Sequence, residues 1–368
     1  MSRRDFIQKL FSGFRSIAVV CLWPAKAFSA AADNAAETTH YTPLNGRSLR
    51  NIARQRVHHS SDGFTNPLGP ERHGRLWEVM RWKLFHNNRF KDDFAGQQVA
   101  PVSIDWGPIR RHQGLSITYL KHASIMIKDM DRYLVVDPIF SDILWFIKDF
   151  TPLDFGLNSM PIPDHVLITH GHLDHLDASS LESFDNKTHV ITPLGYNEVF
   201  DDLNMHNRTQ LDWFDTYRDG NRQIILLPCN HWTMRNPFSG PNHSLWGSYL
   251  IKTASGHTIY FAGDTAYFDG FAQLGNEFNI DLAIFNLGAY EPRWFMASSH
   301  INPEETVQAF KALNAKQLIV IHWGTFRLGD EPVHLPPIHI KQELAKEGLL
   351  DRLVDLKHGQ TLFLNSKT

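Results

Sequence analysis

Cysteine is nearly absent: the 368 residues hold two, Cys21 and Cys229. Cys21 falls in an N-terminal stretch that reads as a removable signal. Cys229 then stands alone, which excludes an internal disulfide; it is expected in a strand, as a small apolar residue. Past the N-terminus no apolar run is long enough to span a bilayer. Low-complexity tracts and internal repeats are missing too, which excludes fibrous and solenoid architectures. Excess positive charge is also lacking. The net charge is −3, and residues 1–32 contribute five Lys or Arg against one Asp, so the mature chain carries −7. That argues against general nucleic-acid binding. What remains is an ordinary globular composition, with room for one large domain or two smaller ones.

The first residues, MSRRDFIQKLFSGFR, form a charged region with paired arginines, followed by the weakly apolar SIAVVCLW and a small-residue stretch, AFSAAA. This order predicts an export signal over residues 1–32, with cleavage near Ala30 to Ala32 and a periplasmic destination. SRRDFIQK resembles a twin-arginine signal, whose pathway carries folded proteins. A Sec signal or a retained anchor is the alternative. A lipoprotein signal at Cys21 does not fit, because Val20 stands where a small residue is required.

Residues 33–112 hold twelve Lys or Arg against eight Asp or Glu, so this segment is +4 while the rest of the mature chain is −11. It reads as a partly helical N-terminal extension. Within it, GRLWEVMRWKLFHNNRF sets apolar residues among Arg75, Arg81, Lys83 and Arg89, as a basic amphipathic helix does. Such a helix packs on its own domain, lies on an anionic lipid surface, or does both.

From Leu115 the texture changes to short β runs, LSITYL, SIMIKD and YLVVDPIF, with DMD as a hairpin turn between the last two. HVLITH, HVITP, IILLPC, SLWGSYLIK, HTIYFAGD, LAIFNLG and QLIVIHWG follow. Helical stretches such as DASSLESF, PEETVQAFKAL and HIKQELAKEGLL fall between several of them. This alternation predicts an α/β fold over residues 113–368, with sheets covered by helices. His170, His231, Asp264 and His322 each follow an apolar run, and strand ends of a layered α/β protein converge on one edge.

The densest motif is THGHLDHLD, residues 169–177. His170 and His172 are two apart and point to the same side of an extended backbone. Gly171 allows a tight turn between them. Asp174 and His175 follow where the chain winds into a helix, so one loop offers two pairs of ligands. Imidazole and carboxylate at this density suit zinc, with other divalent metals open. Asp264, in FAGDTAYF, is a candidate bridging carboxylate. His231, in NHWTMR, and His322, in IHWGTF, can complete one metal each.

Taken in order, these motifs resemble the metallo-β-lactamase fold of dinuclear metal hydrolases. The resemblance implies an αββα sandwich of two similar halves with two zinc ions at one edge. LKHASIMI, DPIFSD, HWTMRNPF, LWGSYL, GAYEPRWFM, SSHINPEE and LKHG are further similar to the N-acylphosphatidylethanolamine-hydrolysing phospholipase D family, over residues of about 115 to 360. By that resemblance His170, His172 and His231 hold one metal, Asp174, His175 and His322 the other, and Asp264 bridges them. Asp264, Asp174 and His300 are the implied catalytic residues, His300 touching the substrate or supporting the ligands. The implied reaction is hydroxide attack at phosphorus on a phospholipid. Peripheral membrane contact is expected, ILWFIKDF being a candidate surface, and the oligomeric state stays open with a homodimer as one option. The insert SDILWFIKDFTPLDFGLNSM and the N-terminal extension depart from the family pattern, which leaves acyl specificity open. A lactonase, a soluble phosphodiesterase and a non-enzymatic metal or ligand carrier are the rival readings; only the carrier is disfavoured, because no ligand is missing.

Overall fold

The structure, a computed structural model, describes residues 40–70, 81–83, 86–236 and 239–367. The expected export signal lies outside them, as does most of the expected basic helix. Trp82 from that helix is described. It is buried, and its Nε1 donates to Asp330 Oδ1 at 2.8 Å.

After a two-residue hairpin, β1 (His59–Ser60) with β2 (Gly63–Phe64), the chain lays down β3 (Leu115–Lys121), β4 (Ser124–Asp129), β5 (Arg132–Val136), β6 (His165–Leu167), β7 (His189–Pro193) and β8 (Arg208–Leu211). Next come β9 (Thr216–Asp219), β10 (Arg222–Leu227), β11 (Ser248–Lys252), β12 (Thr258–Phe261), β13 (Leu282–Asn286) and β14 (Gln317–Ile321). The last strand, β15 (Thr361–Leu364), returns to the first sheet, whose order is β15-β3-β4-β5-β6-β7-β8; the second sheet runs β14-β13-β12-β11-β10-β9.

Period-two alternation makes the layers. In the first sheet Ile117, Ile127, Leu134, Val136, Leu167 and Ile191 face the space between the sheets. Their neighbours Met126 and Val135 face the other way, onto Trp106 and Ile109 of a short helix, Trp106–Arg111. Val166 and Val190 likewise meet Leu181 and Phe200 of two more, Ala178–Leu181 and Asn197–Asp202. In the second sheet Tyr249 turns inward and donates its hydroxyl to Ile168 O at 2.8 Å. Tyr260, on the opposite face, packs on Phe271 of the helix Gly270–Glu277, which in turn packs on Pro303–Ala312. The result is helix, sheet, sheet, helix. Leu44, Leu49, Ile52 and Leu68 of the N-terminal extension join this same core, and the described residues from His40 onward form one compact unit.

Strand direction places the site. Outer pairs such as β3–β4 and β10–β11 are antiparallel, whereas β5 to β8 and β12 to β14 run parallel. Parallel neighbours put their C-terminal ends on one edge. Loops leaving β5, β6, β12, β13 and β14 therefore start side by side although the sequence scatters them.

Candidate metal centre

His170, His172 and Gly171 lie just past β6, in a turn where Gly171 packs closely against Thr233 and Tyr196. Gly171 N donates to Thr233 Oγ1 at 2.8 Å, and a β-carbon there would lie 3.0 Å from that same oxygen. The turn brings His170 Nε2 within 2.8 Å of His172 Nδ1, and His231 Nε2 within 3.4 Å of it. On the other side His175 Nε2 lies 3.3 Å from His322 Nε2 and 3.5 Å from Asp174 Oδ2. Asp264 sits between the groups: its Oδ2 is 3.3 Å from His175 and 4.0 Å from His231, and its Oδ1 is 3.5 Å from His322. Three ligand sets form: His170, His172, His231; His122, Asp174, His175, His322; and His170, His175, Asp264. The structure thus brings together all seven ligands expected from the sequence. His300 stands beside them, with Nδ1 3.7 Å from Asp264 Oδ2.

Hydrogen bonds on the far side of each ring decide which nitrogen faces inward. His231 Nδ1–H donates to Ser299 O at 2.9 Å. His175 Nδ1–H donates to Asp137 Oδ2 at 2.8 Å. Thr169 Oγ1 already donates to Asp137 at 2.6 Å, so at 3.0 Å it accepts from His170 Nδ1–H. The Nε2 atoms of His231, His175 and His170 therefore all face the common space. Imidazole nitrogens this close need a proton or a metal cation between them. The buried carboxylates complete the donor set of borderline divalent metals, and the residues fit such ions.

Electrostatics point the same way. Burial holds His170 and His231 well below the usual imidazole range and His172 at about 4. Asp264 is buried and Asp174 mostly so, which opposes ionisation, yet the neighbouring histidines hold both well below the usual carboxylate range. His175 is the exception: burial opposes its charge, but Asp264 and Asp174 raise it well above the normal value. Without a cation from solution, His175 is the proton-holding group between the carboxylates.

Four supporting residues were not singled out from the sequence. Asp137 follows β5 and binds Thr169 N and Oγ1 as well as His175. Its position in VVDP, at a strand end like the ligands, was the available signal. Asn286, the last residue of β13, donates Nδ2 to Asp264 Oδ1 at 2.8 Å. Ser299 supplies the carbonyl for His231. His122, in the β3–β4 turn, gives no spacing signal at all. His122, Asp137 and His322 hold positive φ angles of 49°, 42° and 71°, and non-glycine residues in this region are uncommon and cluster at functional sites. Cys229 is buried but lies two residues beyond β10, not within the strand expected for it. There the chain is already turning toward His231, and Cys229 Sγ faces Asp264 O at 3.6 Å.

The profile of the Beta-lactamase superfamily domain matches residues 132–323, the span from β5 through His322. An N-acyl-phosphatidylethanolamine-hydrolyzing phospholipase D 1 of Caenorhabditis elegans is 30% identical over 80% of this chain and 89% of its own length. The mitochondrial protein of that activity from Saccharomyces cerevisiae is 32% identical over 62% of this chain and 51% of its own. Among solved structures, an isothiocyanate hydrolase from Delia radicum gut bacteria superposes with a TM-score of 0.57 at 15% identity, over 68% of this chain and 100% of that one, a likeness of fold. The chain belongs to the metallo-β-lactamase superfamily, and it is a metal-dependent hydrolase.

Proposed function

We propose that the protein is a zinc-dependent phosphodiesterase of phospholipase D type, which cleaves N-acylphosphatidylethanolamine-like phospholipids to an N-acylethanolamine and phosphatidic acid. The observation that carries this reading is the reach of the likeness to the nematode protein, over 80% of this chain, far beyond the ligand motifs. Metal ions held by the two ligand groups would supply Lewis acidity, acidifying water and offsetting charge on phosphate oxygens. The chain's own residues set the geometry around that chemistry. Asp264, fixed by Asn286, faces both ligand groups and is placed to orient the attacking water. Asp137 and Ser299 lock the rings of His175 and His231, which limits reorganisation during the reaction. His300, a partly buried ring that desolvation holds at about 4 and so keeps neutral, borders the same space.

Membrane contact is part of the proposal. Trp145 and Phe146 of the insert are 77% and 64% exposed, with Lys148 close by in sequence. Aromatic side chains beside a cation suit the water–lipid boundary of anionic vesicles. The first 32 residues lead us to place the protein in the periplasm, and a double Arg3→Lys, Arg4→Lys variant should then stay in the cytoplasm.

The test is direct. Purified protein should contain about two zinc ions per chain and convert N-acylphosphatidylethanolamine in vesicles, with labelled oxygen from water appearing in phosphatidic acid. His172→Ala and Asp264→Ala should lose metal and turnover together. Cleavage of lactones or soluble diesters, with this lipid untouched, would overturn the substrate and leave the hydrolase.

A further inference from the structure

Between residues 60–70 of the extension and the His231 loop lies a cavity of about 240 Å³. Its walls include Phe64, Thr65, Trp232, Asn242 and Ser298, and His231 lies at its inner end. The cavity thus opens beside the first ligand group. Trp232 carries it toward His172 as well, the two rings meeting edge-on at 4.7 Å.

The outer wall is fixed in place. Phe64 N donates to Asn242 O at 2.8 Å and Thr65 N to His58 O at 2.9 Å. Asn66 Nδ2 donates to Asn230 Oδ1 at 2.9 Å, one residue before the ligand His231. Gly63 approaches so closely that a β-carbon would stand 2.4 Å from Asn242 O. His58 and His59 both bind Asp212, at 2.6 and 2.8 Å, and so tie the start of the segment to the loop after β8. A wall held at this many points has the rigidity that a specificity pocket needs.

Two features describe what the cavity would take. Among the described residues that line it there is no Lys, Arg, Asp or Glu, so a charged group entering it would lose water without gaining a counter-ion from them, which is strongly unfavourable. Ser298 is 7% exposed, and its hydroxyl has no hydrogen-bond partner among the described residues. A buried hydroxyl without a partner is unfavourable and uncommon, and it marks a place where a bound polar group completes the bonding. The volume is below the ~300–1,000 Å³ of pockets for drug-sized molecules. It fits the ethanolamine amide itself, with the acyl chain beyond the amide lying outside the cavity.

Resting on the phosphodiesterase reading, we propose that this cavity receives the uncharged, amide-bearing alcohol arm of the substrate, with Ser298 and Thr65 as its polar contacts. Residues 60–70 of the extension are then a specificity wall: an acylated nitrogen is neutral and enters, whereas a free ammonium is refused.

Two non-hydrolysable phosphonate diesters test this by calorimetry on the metal-loaded full-length protein, one with an N-acetylethanolamine arm and one with an ethanolamine arm. The neutral arm should bind about tenfold tighter or more, as for a site that loses its polar pairing with the wrong ligand. Ser298→Ala should weaken the neutral arm alone, and Thr65→Asp should narrow or invert the ratio, both with metal content unchanged. Equal binding of the two arms, no binding of either, or equal weakening of both by the variants would overturn the proposal. The wild-type ratio decides it even if a variant misfolds. Selective binding without cleavage of N-acylated lipid would reject the reaction and keep the cavity; cleavage without selectivity would do the reverse.

Discussion

His122 Nε2 lies 2.9 Å from Asp174 Oδ2, and its ring centroid is 3.9 Å from that of His322. The contact spans the two sheets: His122 turns between two strands of the first, while His322 N, past the end of β14 in the second, donates to His122 O at 2.7 Å. Burial holds His122 at about 3, so the ring is neutral, and Nε2–H donates to the carboxylate. His122 thereby aims Asp174 at His175 and His322.

Removing that support should weaken one metal and spare the other. His122→Ala is expected to lower affinity at the Asp174 group about 10–100-fold, as loss of a ligand's hydrogen-bond partner does. Titration with a competing chelator checks it. Two unchanged affinities would reduce His122 to packing.

Metal uptake should release a proton. His175 carries a raised pKa in the metal-free protein but must be neutral to act as a ligand. Affinity should therefore fall as pH drops and His175 takes up its proton. Calorimetry in buffers of different ionisation enthalpy should give a positive proton release, and His175→Ala should lessen it. Zero release in the wild type would contradict the charge assignment.

Glu331 carries a separate pH dependence. It is buried, accepts from Tyr290 N and Glu291 N at 3.0 and 3.1 Å, and burial pushes it up to about 7. The folded state holds its proton more tightly than the unfolded chain, so the contribution is full below the unfolded value near 4.5 and is lost as pH rises toward 7. The loss is at most about 3 kcal/mol. Urea unfolding across this range and up to about pH 8 should show the decline, and Glu331→Gln should flatten it.

Lys121 is fully buried and paired with Asp149, which anchors the insert next to His122. Asp149→Ala leaves that ammonium alone and should destabilise the fold by about 3–5 kcal/mol. A double Lys121→Met, Asp149→Leu variant should recover most of it. Equal stability of the wild type and Asp149→Ala would show that water reaches Lys121.

Much of the site was legible in the chain because strands announce their ends. The apolar runs before His170, Asp264 and His322 fix where each loop leaves its sheet, and in THGHLDHLD the spacing alone gathers four ligands. The α/β layering followed from period-two runs between helical stretches. The stretch PEETVQAFKAL, expected to be helical, forms the helix Pro303–Ala312. These are local properties, set within a few residues.

Which groups meet across the two sheets is not local. His122 and Asp137 are single residues among 21 histidines and many carboxylates, and nothing nearby in the chain gives either a partner. Thr169 and Ser299 act through atoms that any sequence pattern hides, a hydroxyl proton and a backbone carbonyl. Only the packing of parallel strand ends on one edge brings Asp137 to His175 and Ser299 to His231, and so decides which imidazole nitrogens face the ligand cluster. The sequence determined which ligand types were present and at which strand ends; the tertiary structure decided their partners and protonation, because hydrogen bonds between distant segments form only once the sheets are packed.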